Sequence, residues 1–335
     1  MDELLARSAE ELFARLAAPE RLRGLAPSEA PPGLLEAVEE AGFLQALVPE
    51  AAGGIGLDPS GALPILLAAG RFAVPLPLGD TMLARAALAM AGVSPPPGLV
   101  VLAEPWGSEA ARLPPLAGAP DAWALLPRGD ATLLLPLAEA EAVEADTAPG
   151  SAVFRWHRSG GQRLPVLDLL AAGAWAEVAV MAGALQPILE DTVRHAQERQ
   201  QFGRPVAAFQ AVQQQLSVLT EDVFAARMAA QLASVPDGAG VAGLSRMRVA
   251  AAKLRVGEAA QRAAGIAHAV QGAMGITGEV PLHRLTGRLQ AARLRFGGEG
   301  YWASWLGRQV LADPASDTLA FARAHLGPAE LETTS

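Results

Sequence analysis

From Pro205 to Ala233 the apolar residues Val206, Phe209, Val212, Leu216, Leu219, Val223 and Met228 recur mostly at steps of three and four, with Gln213–Gln215 and Glu221–Asp222 largely outside the stripe. This is the pattern of one buried face on a long α-helix. A stripe of that length is covered only by other helices of similar length. Gly243–Val270 supplies one, and Leu282–Arg295 and Trp302–Leu311 supply two shorter ones. Everything after Asp168 therefore predicts a helical bundle.

The preceding sequence divides in two. Residues 1–94 read as helical: Leu34, Leu35 and Val38 lead to Phe43, Leu44 and Leu47, a glycine-rich turn follows at Pro49–Gly56, and a helix over Ser60–Phe72 ends before Pro75 and Pro77. Between 95 and 167 prolines cluster, and short apolar runs (Leu99–Leu102, Trp123–Leu126, Ala131–Leu135) are bounded by turn residues. Short bounded runs of this kind predict a small β-rich segment. The expected class is mainly α, with an N-terminal helical domain (1–94), a short β-rich middle domain (95–167) and a C-terminal four-helix bundle (168–335).

Composition narrows the function. The 335 residues carry 26 Lys+Arg against 35 Asp+Glu, a net charge of −9, which argues against a nucleic-acid partner. With no cysteine there is no disulfide, thiolate nucleophile or Cys-ligated metal. Lys253 is the only lysine. The acidic start MDELLARSAEELFARL lacks the layout of a secretion signal, so a cytoplasmic protein is expected. Mean hydropathy is +0.25. On this reading Pro, Gly or a charge interrupts each apolar run, such as Ala62–Gly70, short of the ~18 residues a membrane span needs, so no membrane partner is expected.

The five histidines (His157, His195, His268, His283, His325) show no helical pair spacing, and no metal site is expected. The chain has no G-x-S-x-G, no P-loop and no strand-led G-x-G-x-x-G. Three constellations remain. Pro49–Gly56 is a glycine-rich turn, equally readable as a sharp interhelical connection. Arg199-Gln200-Gln201-Phe202-Gly203-Arg204-Pro205 joins a cation, an aromatic and the start of a helix whose amino end suits an anion. Val270–Glu279 is a small-residue helix end with accessible amides.

In order and spacing these segments resemble the acyl-CoA dehydrogenase family: Pro-Glu then Gly-Gly-x-Gly at Pro49–Gly56; Arg-x-x-Phe-Gly then Phe-Gln at Arg199, Phe202, Gly203, Phe209 and Gln210; and a glycine break, Glu-x-Pro and Arg at Gly272–Gly275, Glu279, Pro281 and Arg284. The resemblance implies FAD bound between subunits, with Arg199, Phe202, Gln210, Gln271 and Gly272 reaching the flavin of a neighbour. It also implies an acyl-CoA substrate, α,β-dehydrogenation to the 2,3-enoyl-CoA, an electron-transfer flavoprotein as acceptor, and a homodimer or tetramer.

The resemblance breaks at the base. Counted without gaps from Pro281, the family's glutamate falls on Phe296. Glu299, which restores a Glu-Gly pair, and Glu177 on the first bundle helix are the candidate replacements. Ala174 and Ala269 stand where the family has arginine and glutamine. These losses resemble the subunit of an α2β2 acyl-CoA dehydrogenase, of the type seen in steroid degradation, that keeps part of the FAD contacts without the base. The alternative function is therefore a non-catalytic subunit that completes a partner's FAD site.

Overall fold

The structure is a computed structural model describing residues 2–26, 29–107, 110–114, 116, 119, 121–143, 151–157, 161–237, 243–275, 281–313 and 317–327. Helices α1 (Asp2–Leu16), α2 (Pro19–Leu22), α3 (Leu34–Glu40), α4 (Pro59–Arg71) and α5 (Leu78–Met90) come first. Eight strands follow: β1 (Val100–Leu102), β2 (Glu104–Trp106), β3 (Ala110–Leu113), β4 (Trp123–Arg128), β5 (Ala131–Pro136), β6 (Ala140–Val143), β7 (Ala152–Trp156) and β8 (Gln162–Leu164). Then come α6 (Leu169–Glu198), the two-residue strands β9 (Gln200–Gln201) and β10 (Arg204–Pro205), α7 (Gln210–Ser234), α8 (Arg246–Gln271), α9 (Leu282–Leu294), α10 (Glu299–Ala312) and α11 (Thr318–Leu326).

The strands form two four-stranded sheets, ordered β1-β4-β5-β8 and β2-β3-β7-β6. Only β1–β4 is a parallel pair among those described. Alternation of period two explains how they stack. Ala124, Leu126, Leu133 and Leu135 point into an inter-sheet core with Val101, Leu113 and Trp156, while Leu125 and Leu134 turn the other way into the helical core. Because both faces of β4 and β5 are covered, these strands read as unbroken apolar runs. That burial also lets Ala and Leu form strands despite their modest β preference.

Helix α6 is the axis of the molecule. It starts where Asp168 accepts a hydrogen bond from the Ala171 amide (3.3 Å) and is buried all round over its first seventeen residues apart from Leu170. By length and composition it could cross a bilayer, which corrects the expectation that no apolar stretch is long enough. Its most apolar window is 89% buried inside the protein, as for a core helix. Burial against α4 depends on two glycines. A Cβ on Gly70 would lie 2.1 Å from the Val180 carbonyl oxygen, and one on Gly183 would lie 2.0 Å from that of Leu67. The indole of Trp175 donates to Ser234 Oγ (2.8 Å) and Ser60 Oγ donates to the Ser234 carbonyl (2.8 Å), which ties α6, α4 and α7 together.

Helix propensity alone favours Ala over Gly by about 1 kcal/mol, yet a methyl at position 183 overlaps backbone, and overpacking of this kind costs about 1–3 kcal/mol or more. Gly183→Ala is therefore expected to lower the urea unfolding midpoint. A midpoint that rises would show that the two helices separate at no cost.

Candidate active site

The turn between α9 and α10 is fixed by Arg295. Its guanidinium donates to both carboxylate oxygens of Asp80 (3.2 and 2.8 Å), to Glu177 Oε1 and to the Leu102 carbonyl (3.4 Å), and its Nε lies 3.6 Å from Glu104 Oε1. Four segments distant in sequence meet here: the start of α5, the β1–β2 edge, the first half of α6 and the α9–α10 turn. Glu104 Oε2 also accepts from Arg112 (2.6 Å) and from the Phe296 amide (2.8 Å). Lys253 closes the turn from below, its Nζ donating to the carbonyls of Ala292 (2.7 Å) and Arg293 (3.0 Å) at the end of α9.

Phe296 has φ +52, and its ring rests on Gly173 of α6, where a Cβ would come within 2.5 Å of three ring atoms. The Arg295 guanidinium lies 4.5 Å from the centroid of the same ring, and Trp302 Nε1 donates to the Phe296 carbonyl (3.0 Å). Phe296, on which the ungapped count from Pro281 places the family's glutamate, is thus an apolar wedge in a left-handed turn.

Glu177 faces a cavity of about 320 Å³ between the start of α5, α6 and α9, with Leu76, Leu78, Ala176, Val180 and Arg288 among its walls. Burial raises the Glu177 pKa above the ordinary carboxylate value, and the attraction of Arg295 only partly opposes it. Burial also pulls Lys253 down to about 8, against the attraction of Glu177. Asp80 and Glu177 hold Arg295 above its ordinary value in spite of its own burial. Glu299 is placed elsewhere. It begins α10 against Gly257 of α8, outside the cavity wall, and pairs with Arg293 (2.7 Å). Burial works to raise its pKa, but the Arg293 hydrogen bond outweighs this and the group lies below its ordinary value.

The other candidates gather at the far end of α6. β9 and β10 pair as a two-residue hairpin with Phe202 at φ +50 and Gly203 at φ +77, both left-handed as a hairpin of this kind requires. Phe202 is 91% exposed, edge-on to Phe209 at 6.1 Å, whose ring Arg204 covers at 4.1 Å. Arg199 and Gln210 are exposed, and no side chain caps α7. Gln271 is buried and donates to Thr192 Oγ1 (3.4 Å). Gly272 ends α8 at φ 62, ψ −142, and is exposed. Thr192 precedes Arg199 by seven residues, about 10 Å along the helix, so the two groups share one end of the bundle. Glu279 lies outside the described residues.

An exposed cation, a projecting aromatic and uncapped helix amides fit the pyrophosphate end of a flavin carried by a neighbouring subunit. One Trp-x-Ser lies between residues 95 and 165, Trp106-Gly107-Ser108 at the end of β2, with Ser108 outside the described residues. Among the described residues, no cluster of three or more His, Asp or Glu could hold a metal. Arg295, Asp80, Glu104 and Arg288 escaped sequence reasoning. The one available hint was Arg295 adjoining the position where a glutamate was sought.

Arg295→Met would strand two buried carboxylates, a change that costs about 3–5 kcal/mol. Glu177, whose pKa burial already raises and which would lose its opposing cation, favours folding fully below its unfolded pKa and loses that contribution as pH rises through its folded pKa. The deficit of Arg295→Met, read from urea midpoints, should therefore be largest at pH 7.5 and shrink toward pH 5. A deficit independent of pH would remove the ion cluster as its cause.

Comparison with known proteins agrees with this architecture. Residues 166–311 match the acyl-CoA dehydrogenase C-terminal domain family. The acyl-CoA dehydrogenase IpdE2 of Mycolicibacterium smegmatis is 28% identical over 249 residues, covering 67% of this chain and 74% of that protein. The glutaryl-CoA dehydrogenase of Desulfococcus multivorans is 33% identical over 102 residues, which are 30% of this chain and only 26% of that protein. In fold, the chain superimposes on the ChsE4–ChsE5 complex from Mycobacterium tuberculosis with TM-score 0.79 at 22% identity, covering 94% of this chain and 98% of the matched one. The helical bundle thus matches the C-terminal domain of the acyl-CoA dehydrogenase family, and the whole chain has the acyl-CoA dehydrogenase fold.

Proposed function

We propose that this chain is a subunit of a heteromeric acyl-CoA dehydrogenase, of α2β2 type, that completes a partner's FAD site and leaves the base to the partner. The observation that carries the reading is the Arg295–Phe296 turn. The family's base position holds a phenylalanine seated on Gly173, and the two nearest candidate carboxylates, Glu177 and Glu299, are each bonded to an arginine. The likeness to one chain of the ChsE4–ChsE5 complex supports a heteromeric assembly. In this reading the complex carries out α,β-dehydrogenation of an acyl-CoA in the cytoplasm and passes electrons to an electron-transfer flavoprotein.

FAD, when bound, supplies the hydride acceptor. This chain's residues would act on its phosphate end. Arg199 would neutralise the pyrophosphate, Gln210 and the first amides of α7 would donate to it, Phe202 would shield it from water, and the Gln271–Gly272 helix end would offer backbone amides. None of these groups moves a proton, so the partner's carboxylate must take the α-proton while the site stabilises the enolate-like charge.

One observation favours a second reading, in which the chain is a self-sufficient dehydrogenase. Glu177 lies in the cavity wall with a raised pKa, as a general base requires. Release from Arg295 would have to precede proton transfer.

In the assembled complex, Glu299→Gln and Glu177→Gln are expected to leave kcat within about twofold. A loss of a hundredfold or more in Glu177→Gln would establish the second reading. Removing one charge-assisted contact of about 1.5–3 kcal/mol by Arg199→Ala should weaken FAD retention roughly tenfold to a hundredfold, measured by dialysis and the flavin-to-protein absorbance ratio. Undiminished retention would remove Arg199 from the flavin site.

A further inference from the structure

Helix α9 and the turn that follows it set Arg284, Arg288 and Arg295 along the same wall, and two of the three are accounted for. Arg284 donates to the carbonyls of Leu22 (2.6 Å) and Leu25 (2.7 Å), holding the segment after α2 against the bundle. Arg295 is bonded to Asp80 and Glu177. Arg288 lies one turn after Arg284 and two turns before Arg295. Among the described residues no hydrogen bond or ion pair ends on it, and its Nε is sealed from solvent without a partner. Glu177 and Asp80 attract it from a distance, but their bonds are to Arg295. A guanidinium in this position has lost part of its hydration and gained no acceptor in return.

The surroundings specify what would restore an acceptor. Arg288 lines the cavity of about 320 Å³ whose other walls include Leu76, Leu78, Val180 and Ala291. At about 30 Å³ for each water-sized group, that volume holds roughly ten non-hydrogen atoms, in a space that is apolar apart from its charged inner side. Arg284 and His283 are shared with an adjoining cavity of about 270 Å³ that also carries Arg23, Asp191 and Arg71, the last paired with Glu190, so arginines outnumber carboxylates on the approach.

We propose that Arg288 is the recognition point for the carboxylate of a medium-length apolar ligand bound in this cavity. The carboxylate accepts from the guanidinium fork, and a hydrocarbon body of about eight carbons fills the space between α5, α6 and α9. The carboxylate could belong to a free acid or to the far end of an acyl group carried as a CoA thioester; the recognition chemistry is the same. The site is one of binding and stands apart from the dehydrogenation reading, so it is tested without turnover.

Isothermal titration of the full chain with octanoate and octan-1-ol, and with suberoyl-CoA and octanoyl-CoA, reads the preference for a charged end directly. If the ligand is a free acid, octanoate should bind at least tenfold more tightly than the alcohol. If it is borne by CoA, suberoyl-CoA should exceed octanoyl-CoA by the same factor. Arg288→Met should abolish whichever preference is found, and Arg288→Lys, which keeps the charge, should retain most of it. The proposal is overturned if neither pair shows a preference for the charged member, or if Arg288→Met retains it. Should Arg288→Met fail to fold, the ligand pairs on the native chain and the lysine variant still decide the matter. A change in dehydrogenase turnover does not bear on this outcome, nor does this outcome bear on the flavin contacts.

Discussion

One buried guanidinium joins the three structural regions of this protein. Arg295 binds Asp80 from the N-terminal helices, Glu104 and the Leu102 carbonyl from the strands, and Glu177 from the bundle axis. Ion pairs with this little access to water are poor sources of net stability, because desolvation of each charge offsets much of the attraction. Their strength is in geometry. With every oxygen of Asp80 committed to one fork, the start of α5, the edge strands and the α9–α10 turn have a single relative placement that satisfies all charges together. The cavity and the Phe296 wedge follow from that placement.

The rest of the frame is apolar and depends on close approach. The α4–α6 crossing brings backbone against backbone at Gly70 and Gly183, and the sheet pair is covered on its helical side by the same core that surrounds α6. Two different functional surfaces are thereby set at opposite parts of one long helix. Its first half carries Glu177 and the cavity, and its end carries the hairpin with Phe202. A helix of 30 residues is about 45 Å long, enough to keep the cavity and the exposed hairpin well apart.

Much of this was legible in the residues. The three-and-four spacing in 205–233 corresponds to α7, and the runs near 99, 123 and 131 are strands β1, β4 and β5. Helix ends differ by a few residues because capping, not periodicity, determines them: α4 begins at Pro59 because Asp58 accepts from the Gly61 amide. What could not be read was the ion cluster. Residues 80, 104, 177 and 295 have no pattern in common along the chain, and their meeting depends on how four elements pack. Likewise, Glu299 and Glu177 look alike as isolated glutamates. Only the fold separates one beside Arg293 at a helix start from one in a cavity wall.

The seat of Phe296 on Gly173 also bears on descent. A glutamate introduced at position 296 would leave an apolar recess over Gly173 and set a fourth carboxylate beside Asp80, Glu104 and Glu177, all sharing the same few cations. Recovering a proton acceptor there would require neighbours on three other segments to change in concert. The arrangement therefore works as a ratchet: once arginine and phenylalanine occupy the turn, no single substitution returns a carboxylate to position 296 without crowding the charges around it.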